Sequence, residues 1–500
     1  MSLTLMAPSA WSYYAEEVAT GREDYYALGA EHPGRFVGRG AELLGIEGEE
    51  VSALAMERLF GYGQDPRDGS PLGRCFSPKD ERAVAGFALT FSPPKTVSVL
   101  WALGDETSAA AVSSSHDKAV DAAMRFLDDH ASFTRRGHNG VHQVDTDGFL
   151  AARFVHRTSR AADPQLHTHV LVANKARAED GAWLSLDGRE LFETQKAAGM
   201  LYKAALRAEL MSRAGVRWTA VDDNGVAEIE GVPQLLVEYW SERRKQLKAA
   251  GDELIAERSA ELGRSLTQAE QVKCYQIAAY QTRTPKVDAD TPTAELRERW
   301  AEEARSWGLE PKRWLKSVLR KAREIESVAS ESLVTMVVAR LEDRSATFGR
   351  AGVVEEASRL LTGADAESTR QLVEELTDVV LGERDVLSLA GPLPVLPLGT
   401  RRRGDGMTTI ERHGAVRFTT GRILRQEAAI LDLVAEGRET RASVVSLPVV
   451  DSILEQSDLG EDQQAAVRGL LTGGEQVALL VGPAGAGKSR ALDVAREAWT

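Results

Sequence analysis

The chain reads Phe154-Val-His-Arg-Thr-Ser-Arg-Ala-Ala-Asp-Pro-Gln-Leu-His-Thr-His-Val-Leu-Val-Ala-Asn174 in one stretch that holds three of its nine histidines. Aromatic and β-branched residues on both sides of the centre predict strands over 149–156 and 166–173. Asp163-Pro164 has the composition of a turn between them. The two strands would then be near enough along the chain to pair as neighbours.

The three histidines of this stretch are candidate metal ligands. His167 and His169 point to one face of the second strand, because side chains alternate across a strand. If the two strands pair antiparallel, His156 can join them. Three neutral imidazoles that converge would hold a divalent metal and leave coordination positions open, as a catalytic metal needs. The alternative is an accidental His-x-His pattern, with one imidazole half-buried and the other in solvent.

Arginines flank these histidines and suggest the chemistry of a ligand. Arg153, Arg157 and Arg160 fall within the same predicted strands and turn. A cationic surface that also carries a metal suits a phosphate group, because guanidinium groups bind phosphate oxygens.

The same stretch resembles the three-histidine motif of MobF-type conjugative relaxases, members of the His-hydrophobic-His nicking enzymes. The matching residues are His156-x-x-Ser159-Arg160-x-x-Asp163-Pro164-x-Leu166-His167-Thr168-His169, followed by Asn174. Further segments match in the same order over about residues 10–245, namely Ser12-Tyr13-Tyr14, Asp24-Tyr25-Tyr26, Gly38-Arg39-Gly40-Ala41-Glu42-x-Leu44-Gly45, Leu89-Thr90-Phe91-Ser92-x-Pro94-Lys95 and Gly181-x-Trp183-x-x-Leu186-Asp187. Consecutive predicted strands with helices on one face indicate an α+β fold. The resemblance implies that this is an antiparallel-sheet nickase domain followed by a helical region.

Two tyrosine pairs, Tyr13-Tyr14 and Tyr25-Tyr26, fall in a segment predicted as a helix over 10–30. Considered alone they would be amphipathic core residues. A phenol has a pKa near 10 and is a weak nucleophile at pH 7, but a nearby cation favours the phenolate. The resemblance implies that Tyr13 attacks first and Tyr25 performs the terminating transfer, with Tyr14 and Tyr26 as further candidates. Arg160 completes the candidate catalytic set.

One position departs from the family pattern. Relatives usually carry an aspartate two residues before the Thr-Phe-Ser sequence, where it would take the tyrosine proton or orient a metal histidine. This chain has Ala88 there. The departure leaves three alternatives: another base serves, with Asp145 and Asp147 as candidates, or the chain cuts slowly, or it does not cut at all.

The net charge of −14 argues at first against a nucleic-acid partner. Phosphate binding depends on the local field rather than on the total charge, so basic patches still count. Beside the histidines, Lys95, Arg153 and Arg157 are candidate DNA contacts. Other basic patches, each more often a solvated surface, are Arg135-Arg136, Arg243-Arg244-Lys245 with Lys248, Lys312-Arg313 through Arg323, and Arg401-Arg402-Arg403.

A second motif lies near the carboxyl end. An apolar run over 476–481 predicts a buried strand, and Gly482-Pro-Ala-Gly-Ala-Gly-Lys-Ser489 before a helix matches a phosphate-binding loop. The candidate nucleotide-binding residues are Gly482, Gly485, Gly487, Lys488, Ser489 and, by resemblance to the glutamine motif of superfamily 1 helicases, Gln463. ATP with Mg²⁺ would be the ligand. Eleven residues follow Ser489, so we expect a truncated motor without helicase activity of its own.

Length and composition indicate a multidomain chain of ordinary globular type. We predict a relaxase domain over 1–250, a helical connector or lid over 251–330, a helicase accessory region over 331–445 and the start of a P-loop helicase domain over 446–500. Two cysteines are too few for a disulfide framework. Without an export signal or an apolar run of membrane-spanning length, a cytoplasmic protein is expected.

The combined prediction is a metal-dependent nickase that cuts and transfers one DNA strand at a plasmid origin of transfer through a 5′-phosphotyrosine. The metal would be Mg²⁺ or Mn²⁺, or Zn²⁺, which three imidazoles accept more readily than Mg²⁺. Partners would be single-stranded origin DNA, other relaxosome proteins and secretion coupling proteins. The alternatives are a rolling-circle initiator or transposase with the same chemistry, and a protein that binds origin DNA without cutting it.

Overall fold

The structure is a computed structural model that describes residues 1–12, 34–282, 291–319, 330–391, 401–402, 404–438, 440, 443–483 and 485–499. These residues form two compact units. The first comprises Met1–Glu383 with Ser388–Phe418, and the second comprises Arg384–Leu387 with Thr419–Thr500. The helix predicted over 10–30 lies almost wholly outside the described residues.

The strands are short except for the two that carry the histidines. Their bounds are β1 Ser2–Met6, β2 Arg35–Val37, β3 Gly86–Phe91, β4 Phe133–Arg136, β5 His142–Asp145, β6 Ala151–Thr158, β7 Pro164–Ala173, β8 Ala176–Arg177, β9 Trp183–Leu184, β10 Val386–Ser388 and β11 Phe418–Thr420.

The helices of the first unit begin with two short ones and then become long. Their bounds are α1 Arg39–Leu44, α2 Ala53–Met56, α3 Lys95–Leu103, α4 Glu106–Ala131, α5 Gly188–Ala214, α6 Gln234–Tyr239, α7 Glu242–Leu262, α8 Gln268–Gln281, α9 Thr293–Ser306, α10 Pro311–Val318, α11 Ser330–Arg344, α12 Arg350–Leu360 and α13 Ala366–Gly382. A π-helical turn, Glu57–Tyr62, continues α2. The helices of the second unit are α14 Gly421–Gly437, α15 Leu447–Glu455, α16 Glu461–Gly473 and α17 Lys488–Trp499.

A five-stranded antiparallel sheet in the order β1-β3-β7-β6-β2 forms the centre of the first unit. β6 and β7 pair with His156 directly opposite His167. β3 pairs with the other edge of β7, so that Thr90 lies opposite His169. The antiparallel pairing left open by the sequence is thus present, and the predicted α+β fold is confirmed.

The histidine face of the sheet is partly covered by apolar packing. Ala88, Phe154 and Leu171 share this face with His156 and His169, because they are separated from them by even numbers of residues along their strands or lie directly opposite across the ladder. These apolar residues belong to one buried cluster, which also contains side chains of α1, α2 and the π-helical turn. The histidines therefore lie where the apolar part of the face ends.

The opposite face of the sheet carries the long helices α4 and α5. The ring of Phe91 packs 5.3 Å from that of Tyr202 in α5, and His116 in α4 bonds to Thr168 between the two histidines of β7. Helices that are apolar along one stripe bury it best against a sheet. The long helices lie on one face, as predicted.

The helical region after residue 250 packs into the same unit. Trp300 of α9 is 1% exposed and meets Trp101 of α3 edge to face, with ring centroids 5.9 Å apart. Its indole donates a hydrogen bond to Ala162 O, in the turn between the histidine strands. The proposed division of the chain at 250, 330 and 445 stays a prediction.

The second unit has a small core of its own. Val450, Leu454, Val467 and Leu471 are buried with side chains of α17. The strand predicted over 476–481 is wrong, because those residues form no regular structure and Val481 is 90% exposed. A strand of this kind needs a neighbouring strand to satisfy its backbone hydrogen bonds, and the described residues of this unit supply none beside it.

Two further expectations from the sequence concern the two cysteines and membrane-spanning segments. Cys75 and Cys274 are both free thiols. Among the described helices, none combines the length and apolar composition needed to cross a membrane.

Candidate metal centre and nucleotide loop

Three imidazoles converge at the open end of the sheet's histidine face. One ligand nitrogen from each of His156, His167 and His169 lies within 4.8 Å of the other two. The three ring centroids are mutually 5.1 Å apart. His156 is buried, and the other two rings are half-buried. Such spacing fits three nitrogen ligands about one ion, whose metal–nitrogen distances are about 2 Å.

Hydrogen bonds at the second ring nitrogens orient two of these imidazoles. His167 Nδ1 donates to the carbonyl of Gln165 at 2.9 Å, which leaves Nε2 as a lone-pair donor for a metal. His169 Nδ1 lies 3.0 Å from Thr90 Oγ1. Outer partners of this kind fix the tautomer and ring plane of a metal-binding histidine. Thr90 belongs to a motif quoted above, but its role was not predicted.

The turn between the histidine strands is closed by its own side chains. Ser159 Oγ accepts from the backbone N–H of Asp163 and donates to its carboxylate, both at 3.2 Å. Ala162 has a positive φ of 60° within this turn. Burial raises the pKa of Asp163, while the charge of Lys95 lowers it. A turn between the two strands is confirmed, but it lies at residues 160–162, just before the predicted Asp163-Pro164, and Pro164 already begins β7.

Lys95, a predicted DNA contact, makes its hydrogen bonds to residues at the start of β7. Its Nζ donates to Pro164 O at 2.6 Å and lies 3.4 Å from Gln165 Oε1. Burial lowers the pKa of Lys95 to about 8, partly offset by the nearby charge of Asp163. Lys95 thus braces the histidine strands from within, and its contact with DNA stays a prediction.

A buried polar chain supports β7 from behind. His116 Nε2 and Thr168 Oγ1 are 2.8 Å apart, and His116 Nδ1 is 2.8 Å from the hydroxyl of Tyr202. Burial lowers the pKa of His116 to about 3, so the ring is neutral at pH 7. This series of hydrogen bonds holds Thr168, the residue between His167 and His169, in place. The sequence does not predict it, because His116, Thr168 and Tyr202 are far apart along the polypeptide.

Ala88 lies on the histidine face but contributes no polar group. It is 4% exposed and pairs with Leu171. This pair lies two residues along β3 and β7 from the pair of Thr90 and His169. The hydroxyl of Thr90 thus supplies the polar contact to His169 that a carboxylate could otherwise make. Among the described residues the metal-binding group contains histidines alone.

Asp145 and Asp147 do not replace the missing carboxylate. Asp145 accepts a hydrogen bond from Gly404 N at 3.0 Å, and Asp147 forms an ion pair with Arg177 at 2.6 Å. Both precede β6, whereas His156 is near the far end of that strand. The five residue steps from Ala151 to His156 span about 16 Å.

The arginines beside the histidines are not the common cationic surface that was predicted. Arg153 lies an odd number of residues from His156 and so points to the opposite face of β6. There it forms ion pairs with Asp117 and Asp121 of α4 at 2.5 and 2.7 Å. In the structure its charge thus pairs with α4, and a contact of Arg153 with DNA stays a prediction.

Arg157 and Arg160 have different surroundings. Arg157 Nη1 is 3.5 Å from the hydroxyl of Thr293 at the start of α9. It thus reaches toward the helices that follow the sheet. Arg160 is half-buried in the turn between β6 and β7. Its place in that turn is compatible with the predicted catalytic role, which stays a prediction.

The candidate nucleophiles Tyr13, Tyr14, Tyr25 and Tyr26 lie outside the described residues. The chain just before them is described. Ala10 and Trp11 pack against the apolar cluster of the histidine face, and Trp11 lies over Gly61, whose added Cβ would be 3.1 Å from the indole. The described chain therefore reaches Ser12 on the same face as the three histidines.

The phosphate-binding loop retains its hallmarks in the second unit. Gly485 and Gly487 have φ of 80° and 72°, a region that favours glycine. Lys488 Nζ donates to Gly482 O and to Pro483 O, both at 2.8 Å. Ser489 follows in the first turn of α17.

Gln463 touches this loop from the helix before it. Its side-chain nitrogen donates to Ala486 O at 2.9 Å, and its oxygen accepts from Gly460 N. The predicted glutamine and the loop are thus adjacent, although they are separated by 23 residues in sequence.

Comparison with known proteins agrees with this site. The family model described as TrwC relaxase matches residues 7–307, and the model described as AAA domain matches residues 458–500. The multifunctional conjugation protein TraI of Escherichia coli is 30% identical over 366 residues, covering 69% of this chain and 19% of TraI. TraI of Escherichia coli strain K12 is 35% identical over 253 residues, covering 49% and 13%. The chain thus spans about a fifth or less of the length of these curated relatives.

Solved structures point the same way. The metal-bound structure of the conjugative relaxase TrwC in complex with oriT DNA is 26% identical, with a TM-score of 0.50, and the match covers 62% of this chain and 99% of that one. The copper-bound TrwC complex gives the same values. With a family model matched over more than half of its length and the three histidines gathered on one face of the sheet, the chain belongs to the TrwC relaxase family.

Proposed function

We propose that the first unit nicks one strand of DNA at a plasmid origin of transfer and holds the 5′ end covalently for later rejoining. The observation that carries this proposal is the convergence of His156, His167 and His169 on one face of the sheet. TrwC relaxases, whose solved complexes contain oriT DNA, supply the substrate class. The chemistry is a transesterification, which keeps the number of phosphodiester bonds constant.

The donor set fits a divalent metal. His167 keeps Nε2 available because its Nδ1 donates to a carbonyl. The hydroxyl of Thr90 can accept a hydrogen bond from His169 Nδ1, which leaves Nε2 of His169 available to a metal as well. Mn²⁺, Mg²⁺ or Zn²⁺ are the candidate ions, and imidazole ligands favour Zn²⁺ and Mn²⁺ over Mg²⁺. When bound, the ion would polarise the scissile phosphate and offset charge that develops on its oxygens.

The chain's own residues would supply the nucleophile. The phenol oxygen of Tyr13 would attack the phosphorus, lose its proton to a base, and form the Tyr–O–P bond as the bond from phosphorus to the 3′ oxygen breaks. The departing 3′ oxygen takes up a proton and becomes a free hydroxyl. Trp11 supports this assignment, because it brings the chain to the histidine face two residues earlier.

Three further tyrosines and one arginine complete the proposal. Tyr25 would accept the strand in the terminating transfer, and Tyr14 and Tyr26 are the second members of their pairs. Arg160, in the turn between the histidine strands, would bind a phosphate oxygen, since guanidinium groups pair well with phosphate. Arg157 remains a proposed DNA contact near the start of α9.

The decisive experiment is covalent capture. The protein is mixed with a labelled single-stranded origin oligonucleotide and Mn²⁺, and products are resolved on a denaturing gel. We expect an adduct that is absent in Tyr13→Phe and present in the matched control Tyr62→Phe, a half-exposed tyrosine of the π-helical turn. An adduct that survives every change of the four candidate tyrosines would refute the assignment of the nucleophile.

A second function has one specific observation in its favour. Ala88 places no carboxylate on the histidine face, so proton removal from a tyrosine has no residue assigned to it there. A chain of this kind could bind and hold origin DNA without cutting it. Retarded but intact DNA in a native gel, with no adduct in the denaturing gel, would favour this second function.

We also propose a role for the second unit. Its phosphate-binding loop would bind ATP with Mg²⁺ through Lys488, Ser489 and the backbone of the glycines, with Gln463 at the adenine. In a full-length relaxase-helicase this unit would belong to the motor that unwinds DNA. Relaxosome proteins and a secretion coupling protein would be its partners in the cytoplasm.

A further inference from the structure

Helix α10 carries an exposed row of positive charge. Lys312, Arg313 and Lys316 are exposed, and none of them makes an ion pair with the described residues. The helix, Pro311–Val318, contains no acidic residue. Many other arginines of the described residues are ion-paired, for example Arg153 with Asp117. The carboxylate just before the helix, that of Glu310, pairs with Arg305 at 3.8 Å. The three neighbouring cations thus form a local positive field in a chain of net charge −14.

The other side of α10 fixes the direction of this row. Trp314, Leu315 and Val318 are buried. The Trp314 indole donates to Gly231 O at 2.9 Å, which ties the helix to the segment before α6. Because the apolar stripe faces inward, the three cations must face solvent.

An exposed aromatic pair joins the end of α6 to the residue after α9, a few residues before this helix in sequence. Tyr239 is 42% exposed and Trp307 is 48% exposed, and their ring centroids are 5.4 Å apart. Beneath them Trp240 is buried and donates to the carboxylate of Glu303 at 2.7 Å. The pair is therefore held on a fixed base with ring surface open to solvent, which is the arrangement that stacks unpaired bases.

Helix α9 links this pair to the metal centre. Trp300 donates to Ala162 O in the turn between the histidine strands. Trp307 follows Trp300 by two helical turns on the same side, about 10 Å farther along the axis. A strand that leaves the three histidines along α9 would meet the aromatic pair first and the cations of α10 next.

We propose that Tyr239, Trp307, Lys312, Arg313 and Lys316 form a binding surface for single-stranded DNA that extends from the metal centre. The aromatic rings would stack one or two unpaired bases, and the cations would bind the phosphates that follow. The inference rests on the proposed nicking function for the direction of the strand. α10 lies beyond residues 7–307, the part matched by the relaxase family model, whereas Tyr239 and Trp307 lie within it.

The cationic half is tested by salt-dependent binding. The triple variant Lys312→Ala/Arg313→Ala/Lys316→Ala is compared with wild type in fluorescence anisotropy titrations of a thymidine oligonucleotide of about 25 nucleotides. Three lost phosphate contacts should reduce the slope of log Kd against log salt by about 2. The matched control Arg74→Ala/Lys79→Ala/Arg82→Ala removes three exposed cations elsewhere in the unit and should keep the wild-type slope. An unchanged slope in the α10 variant overturns the inference.

The aromatic half is tested by comparing single strand with duplex. Trp307→Ala should weaken single-strand binding by about tenfold, because base stacking is lost, and Trp307→Phe should restore most of the affinity. Duplex of the same length has no unpaired base and should bind both variants equally. Equal losses on duplex and single strand, or no loss on either, contradict the proposed stacking.

Adduct formation separates this inference from the proposed function. A short oligonucleotide that covers little beyond the nick should give adducts at the wild-type level in the α10 variant. If wild type forms no adduct but the single-strand binding differences hold, the nicking proposal fails and the binding surface stands. If adducts form and the binding differences are absent, the binding surface fails and nicking stands.

Discussion

His169 contacts a hydroxyl group on the neighbouring strand. Thr90 Oγ1 lies 3.0 Å from His169 Nδ1, while Ala88 adds only a methyl group to the apolar cluster. We predict that Thr90→Val weakens Mn²⁺ binding by about 10- to 100-fold, because the ring loses its outer hydrogen-bond partner. Isothermal titration calorimetry measures this, with Thr90→Ser as the control that keeps the hydroxyl. Equal affinities of Thr90→Val and wild type would contradict the orienting role.

Asp128 is expected to make the first unit less stable as pH rises. Burial raises its pKa to about 7, against the hydrogen bond from Phe149 N and the charge of Arg39. Between pH 3.8 and about 7 the folded protein binds more protons than the unfolded chain, so the free energy of unfolding falls with rising pH. Asp128→Asn should therefore raise stability at pH 8 by about 1–4 kcal/mol and change it little near pH 4.

Denaturant unfolding at the two pH values checks this prediction. Asp129→Asn is the matched control, an adjacent carboxylate in an exposed ion pair with Arg39, and should change stability by less than about 1 kcal/mol at pH 8. A loss of stability in Asp128→Asn that is equal at both pH values would show that its carboxylate is charged in the folded protein throughout.

The sequence predicted the ligands better than their surroundings. His156, His167 and His169 could be found because strand alternation and one turn suffice to bring them together. The same alternation shows that Arg153 points to the opposite face of β6. Its closeness to His156 in sequence therefore does not make the two side chains neighbours in space. The contact of Thr90 with His169 depends on the pairing of β3 with β7, which no local pattern encodes.

Helix α9 is expected to stabilise the histidine hairpin through one side chain. Trp300 is buried against Trp101 and donates to Ala162 O. Trp300→Ala should cost about 3–5 kcal/mol of unfolding free energy, because it leaves a large cavity and an unsatisfied carbonyl. The control Trp307→Ala, at an exposed position of the same segment, should cost less than about 1 kcal/mol. Urea unfolding monitored by circular dichroism distinguishes them, and equal costs would contradict the bracing role.

Elements with local signals were predicted well, and those that need partners were not. β6, β7 and β3 follow from alternation and β-branched residues, and α17 follows the phosphate-binding loop as expected. Residues 476–481 have the apolar composition of a buried strand. They form no strand in the structure, because a strand requires a neighbouring strand, and the described part of the second unit has none beside them.

The two units should unfold as separate transitions, because each has its own buried core. Mn²⁺ at about 100 times its Kd should stabilise the first unit alone by about 2.7 kcal/mol. Leu471→Ala, which truncates a fully buried side chain of the second core, should lower the other transition by about 2–5 kcal/mol. Differential scanning calorimetry measures both shifts. A single transition that moves with either change would show that the units unfold together.

The most direct measurement is the stoichiometry of Mn²⁺ binding in wild type and in single histidine variants, by calorimetric titration. The account predicts one ion per chain in wild type and a loss of affinity of more than about a hundredfold in each of His156→Ala, His167→Ala and His169→Ala. His138→Ala, which removes an exposed imidazole elsewhere in the same unit, should bind like wild type. Wild-type affinity in any of the three variants, or no binding in wild type, would contradict the metal centre on which the proposed function depends.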